Sequence, residues 1–264
     1  MAHDDKKSTT IEIGDGAAIP RRKDKGLLDA WWISLILAVT LLIALPLWQP
    51  FPYWKSLSFL SDGILVTFQV TIMAILGALV LGLFTGLGRL SKNRFFNLTA
   101  STYVEIVRGI PLIVQLFYFY YALARFLHLQ GTVAAVIAMS ICYGAYMGEV
   151  FRAGIDSIDK GQTEAARSLG FNNRQTLALV ILPQAWRTIL PPVGNEFIAL
   201  LKDSSLISIV AITDIFRRGR EFVAQYFTSF ETYTMVALVY LVITLVLSKG
   251  VSIMEQRLSH YVKD

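Results

Sequence analysis

Six long, mainly apolar runs limit what this chain can fold into: residues 31–48, 64–88, 106–127, 133–146, 188–201 and 233–247. A helix needs roughly 20 mainly apolar residues to cross about 30 Å of hydrocarbon, and most of the runs approach that length. A soluble fold carrying all six would have too little polar surface left to face water. Composition agrees, since 55% of the residues are hydrophobic and only 16% charged, where soluble domains carry about a quarter. The fold class is therefore all-α, a polytopic membrane protein with six spans.

The net charge of +5 follows from where the basic residues fall. Lys6, Lys7, Arg21, Arg22, Lys23 and Lys25 precede the first run, and Arg89, Lys92 and Arg94 follow the second. Arg152, Lys160, Arg167, Arg174 and Arg187 follow the fourth, while Lys249, Arg257 and Lys263 close the chain. Threaded through six spans, these share one side, and the positive-inside bias makes it the cytoplasm, with both termini there. Lys55, Arg125, Arg217, Arg218 and Arg220 fall outside, and the arginine cluster is the weakest point of that topology. A basic chain of this kind needs no nucleic acid to explain it.

Residues 1–29 are polar and charged, which reads as a disordered cytoplasmic tail. Residues 30–62 form a first transmembrane helix, ended by Pro46, Pro50 and Pro52, and an outer loop over 49–61. Trp31, Trp32, Trp48, Tyr53 and Trp54 mark its ends at the interfaces, and the segment is too long for a cleaved signal peptide. Further helices are expected over 63–87, 105–126, 132–153 and 233–254, with 256–264 as a cytoplasmic tail. Ala78, Gly82 and Gly86, four apart, give the second helix a smooth face for close packing. The fifth span is irregular: Pro191, Pro192 and Gly194 interrupt its start, and the polar stretch 202–205 interrupts it again. Broken helices at membrane depth are tolerated where they line a cavity or lie buried in protein.

The loop over 154–187 is polar yet organised. Asp159 suits an N-cap for a helix over 160–169 with Gly170 as its stop signal. Asn172 or Asn173 suits the cap of a second short helix, 174–182, ended by Pro183. Within it, Glu164-Ala165-Ala166 is followed after three residues by Gly170, and after nine more by Val180-Ile181-Leu182-Pro183. This pattern resembles the EAA loop of ABC importer permeases, departing from it only at Val180. The stretches 105–115, 146–155, 190–197 and 200–206 are similar to the polar amino acid group of that family, the histidine, arginine and glutamine type.

The resemblance implies a five-helix permease core over residues 63–255, with the helix of 30–62 as an extra span. It implies a bacterial inner membrane importer of polar or charged amino acids. Its partners would be a separate ATP-binding cassette ATPase, an extracytoplasmic binding protein and a second permease protomer, identical or homologous, within membrane lipid. Glu164, Ala165, Ala166, Gly170, Leu182 and Pro183 would form the ATPase-coupling element. ATP and magnesium would bind the ATPase, not this chain. A self-sufficient carrier or channel is the alternative, but it leaves the folded loop without a purpose.

Substrate-path candidates are the polar residues in the spans, because ionisable groups at membrane depth usually face a cavity or a partner. They are Tyr146, Glu149, Asn195, Glu196, Lys202 and Asp203. A structural role competes for several: Lys202 with Asp203, and Glu149 with Arg152, could simply pair. Arg108, just inside the third span, reads as a headgroup anchor. Cys142 is alone, His3, His128 and His260 are scattered, and no phosphate-binding or metalloprotease motif is present. No catalytic residue, resident cofactor or metal is therefore expected.

Overall fold

The computed structural model describes residues 29–260, with side chains to residue 258; the expected amino-terminal tail lies almost wholly outside them. Among the described residues there are helices and turns and no strands. The helices are α1 (Ala30–Trp48), α2 (Pro50–Arg89), α3 (Arg94–Gly109), α4 (Leu112–Leu127), α5 (Gly131–Asp156), α6 (Lys160–Ser168), α7 (Leu182–Asp203), α8 (Ile215–Tyr226) and α9 (Ser229–His260). By length and composition α1, α2, α5 and α9 are each able to cross a membrane, and α3 with α4 passes only as a bent pair.

The core is the crossing of α2 and α5, the largest helix–helix contact among the described residues. The small face of α2 meets a matching one on α5. A Cβ added at Gly82 would strike the Cβ of Met147, and one at Gly148 would lie 2.7 Å from Thr85 Cγ2. Ser140 Oγ adds a 3.1 Å hydrogen bond to the carbonyl of Ala74. Helix α1 packs on α9, where Trp31 Nε1 donates to the carbonyl of Leu245 at 2.9 Å. A second cluster around Leu60, Ile215 and Met235 joins α1, α2, α8 and α9.

Three expectations need correcting. The expected outer loop after α1 is helical beyond an extended residue, Phe51 (φ −106°, ψ 127°), because proline, here Pro52, suits the first turn of a helix as well as the end of one. The third span is not one rod: α3 and α4 meet at a 99° bend. Pro111 has no N–H to continue α3, and Gln115 Nε2 instead donates to the carbonyls of Val107 and Ile110, each at 2.8 Å. Finally, α7 runs through Pro191 and Pro192 without a break, their fixed φ being compatible with a helix. Only the second expected interruption exists, as a 3-10 segment over Ser204–Val210.

Two of the three clustered arginines are paired with nearby acids. Arg217 pairs with Glu221 at 2.9 Å, and Arg218 with Glu221 at 3.2 Å and Asp62 at 3.4 Å.

Candidate functional site

The bend between α3 and α4 shapes the site. It turns Arg108 away from the line of a straight span and sets it over the ring of Tyr146, 5.0 Å from the centroid, in a cation–π contact. Arg108 joins the bend residues Gly109 to Leu112, one face of α5 and one face of α7 around a cavity of about 390 Å³. From α5 come Cys142, Tyr143 and Tyr146; from α7 come Glu196, Ala199 and Asp203. The Tyr143 hydroxyl donates to Asp203 Oδ2 at 2.7 Å, which fixes the far wall. Arg108 makes no ion pair among the described residues. A second cavity of about 300 Å³ shares Arg108, Tyr146 and Glu196 and extends past Glu149 and Thr188.

Helical spacing explains which candidates converge. Glu196 and Asp203 are seven residues apart, two turns of α7, and share its inward face. Asn195 and Lys202 have the same spacing one residue earlier, about 100° round the helix, and both are exposed. Lys202 does not pair with Asp203, whose carboxylate is taken by Tyr143. Glu149 lines the second cavity, but its carboxylate is held by Arg89 from α2 and by Arg152 one turn on; Arg152 in turn bonds Asp156 at 2.8 Å. Sequence reasoning misses Tyr143, although it stands three residues before Tyr146 on the same helical face. The bend brings Arg108, which the sequence reading takes for a headgroup anchor, to the wall of this cavity.

The cytoplasmic loop is built by its own caps. Asp159 Oδ1 accepts from the Gly161 amide at 2.6 Å and starts α6. Gly170, at φ +85°, ends it: its amide bonds the Arg167 carbonyl at 2.9 Å and the Phe171 amide bonds that of Ala166 at 3.1 Å, a Schellman arrangement. Asn172 and Gln175 then form a reciprocal capping box. The following turns differ from the expected short helix. They widen into a π-helical segment, Thr176–Ile181, and pass into α7 without stopping at Pro183. Leu182 is the last donor of the π register, to Leu177, so the proline with no N–H falls where the register changes. On α6, Ala166 is buried while Glu164, Ala165 and Leu169 are exposed, Leu169 to 77%.

Comparisons with known proteins agree with this architecture. Residues 78–260 match the family described as binding-protein-dependent transport system inner membrane component. The chain is 36% identical to the glutamine transport system permease protein GlnP of Escherichia coli K12 over 208 residues, covering 78% of this chain and 95% of that protein. It is 40% identical to the L-cystine transport system permease protein TcyB of Bacillus subtilis, covering 77% and 88%. Among solved structures, an amino acid ABC transporter crystallised with histidines superposes with a TM-score of 0.73 at 38% identity, covering 77% of this chain and 95% of that one. The MetNI methionine ABC transporter, at 18% identity and a TM-score of 0.66, shares the fold. With a family match over more than half its length and close relatives covered almost end to end, this chain belongs to the binding-protein-dependent transport system inner membrane components, and is a multi-pass ABC transporter permease.

Proposed function

We propose that the chain is the membrane subunit of a bacterial inner-membrane importer for polar or charged amino acids, and that the cavity between the α3/α4 bend, α5 and α7 receives the substrate. The observation that carries this is the opposition of charge across that cavity, with Arg108 on one wall and Glu196 and Asp203 on the other. A free amino acid is a zwitterion. A guanidinium suits its carboxylate through charge-assisted hydrogen bonds, and the two acids suit its ammonium or a cationic side chain. At about 390 Å³ the cavity has room for an amino acid. Both termini are assigned to the cytoplasm and α7 is counted among the six spans, which puts the loop of 154–187 on the side where ATP is made available.

A separate ATPase, binding ATP and magnesium, docks on the exposed side of α6, and a binding protein delivers substrate outside. The permease pairs with a second copy or a homologous chain. The resemblances to glutamine, cystine and histidine systems support the amino acid class. The test is uptake into proteoliposomes holding the chain with its partner ATPase and binding protein, screened over a panel of amino acids. ATP-dependent uptake of no polar or charged amino acid would overturn the reading.

Two substitutions separate the cavity from its surroundings. Arg108→Gln should lower uptake about tenfold or more, since a hydrogen bond to a charged group contributes about 1.5–3 kcal/mol. Glu149→Gln should leave the ranking of substrates unchanged, because that carboxylate already serves Arg89 and Arg152. It should instead lower the thermal stability of the purified chain, by freeing a link between α2 and α5. A changed ranking in Glu149→Gln would return that residue to the substrate path.

A further inference from the structure

Helix α6 has two faces, and the docking role uses only one. Ala165 and Leu169 face outward, whereas Lys160, Thr163 and Arg167 turn towards the membrane helices and wall a cavity of about 430 Å³. Its other walls are the end of α2 (Leu90, Lys92), the end of α5 (Ile155, Asp156) and the returning arm (Asn173, Thr176). Three cations therefore converge on it from two elements. The only acid in the lining, Asp156, is already bonded to Arg152 at 2.8 Å. Arg167 spends one N–H on Asn173 Oδ1 at 2.9 Å, and a guanidinium has others to give. Thr176 is 4% exposed, and its hydroxyl has no hydrogen-bond partner among the described residues.

We propose that this cavity binds a phosphate group, held by Lys92, Lys160 and Arg167 with the Thr176 hydroxyl as a further donor. Several cationic donors around one pocket match the several oxygens of a phosphate better than the two of a carboxylate. The phosphate could belong to an anionic lipid headgroup or be free in the cytoplasm. The membrane is close at hand, since Phe95, Phe96 and Leu98 at the start of α3, three to six residues after Lys92, are all exposed apolar side chains. A bound phosphate would bridge α6 to Lys92 at the end of α2 and brace the coupling element against the membrane helices. That consequence rests on the coupling role of α6; the binding itself does not.

The test uses the full-length chain, purified in detergent and stripped of lipid. Native mass spectrometry reads retention of phosphatidylglycerol against phosphatidylcholine, and equilibrium dialysis reads labelled inorganic phosphate. Preferential retention of phosphatidylglycerol identifies the source as lipid, and binding of phosphate alone identifies it as soluble; either upholds the site. The double variant Lys92→Gln/Lys160→Gln should then weaken that binding on the order of tenfold or more, as expected for two lysines near an anion. Thr176→Val should weaken it less, and Lys202→Gln, on an exposed face of α7, not at all. Binding of neither probe, or binding that the double variant leaves unchanged or Lys202→Gln reduces equally, overturns the proposal. Uptake assays of the same variants then report on coupling separately.

Discussion

Gly170→Val should reduce ATP-driven uptake about tenfold or more while the chain still inserts, folds and purifies normally. Gly170 sits at φ +85°, and no atom lies within 4 Å of where a Cβ would be. The penalty is therefore in the backbone, not in space. A left-handed conformation costs an L-residue roughly 1–2 kcal/mol, and most for a β-branched side chain. If the chain relaxes to escape that strain, it gives up the hydrogen bonds from Gly170 to Arg167 and from Phe171 to Ala166, worth about 0.5–1.5 kcal/mol each. The relaxed chain misplaces Ala165 and Leu169 relative to a docked ATPase, the strain favours that relaxed form, and each 1.4 kcal/mol is a tenfold shift in population. The comparison that isolates the cause is Gly170→Asn. Asparagine visits the left-handed region readily, so this variant should keep most of the uptake. Ala165→Glu should fail for the complementary reason, with the backbone intact but a charge forced into the docked interface. Full uptake by Gly170→Val in the reconstituted complex would remove α6 from the coupling role.

Much of that element is legible in the sequence alone. Asp159, Gly170 and Asn172 act through local rules of helix capping that need only neighbouring residues, and each does what its spacing implies. The spans α1, α2, α5 and α9 are legible for a similar reason, since a lipid-crossing helix must be apolar along its length. Their ends are not. Helices α2 and α9 extend well past the apolar runs, because a helix continues into the interface at little cost.

The cavity is harder to read, and the bend shows why. Residues 106–127 are one apolar run, and hydropathy is blind to direction. Pro111 announces a weakness there, but the angle depends on Gln115 reaching back to two carbonyls, and on Tyr103 donating to the Ile141 carbonyl at 2.6 Å to hold α3 against α5. Read as a straight span, the run leaves Arg108 near one end of a rod. With the bend, Arg108 lines one cavity with Glu196 and Asp203. Conversely, the prolines of α7 look like breaks and are not, since what proline forbids is one hydrogen bond each and not the helical φ. The division of Asn195, Glu196, Lys202 and Asp203 into two faces follows from helical periodicity, once α7 is taken as a single helix.

Gly82 and Gly250 should respond to alanine with opposite signs. On an open helix face, Gly→Ala gains about 0.5–1 kcal/mol, because alanine loses less backbone freedom on folding. Gly250 in α9 is exposed and has nothing within 4 Å of where a Cβ would stand, so Gly250→Ala should raise the melting temperature of the solubilised chain slightly. Gly82 stands against Met147 and Gly148 of α5, with the Met147 carbonyl carbon 2.9 Å and the Gly148 nitrogen 3.0 Å from the added Cβ. Backbone atoms cannot swing aside as a side-chain tip can, so the helices must separate. Separation spreads along the whole crossing: a Cβ on Gly86 would approach Phe151 Cβ at 2.7 Å, and one on Gly148 would approach Thr85 Cγ2 at the same distance. Gly82→Ala should therefore cost at least the ~1–3 kcal/mol of ordinary overpacking. Gly82→Leu should leave little monodisperse protein after solubilisation, while Gly250→Leu elutes like the parent. Equal behaviour of the two leucine variants would mean that α2 and α5 are not locked backbone to backbone, and the cavity that α5 walls would lose its rigid frame.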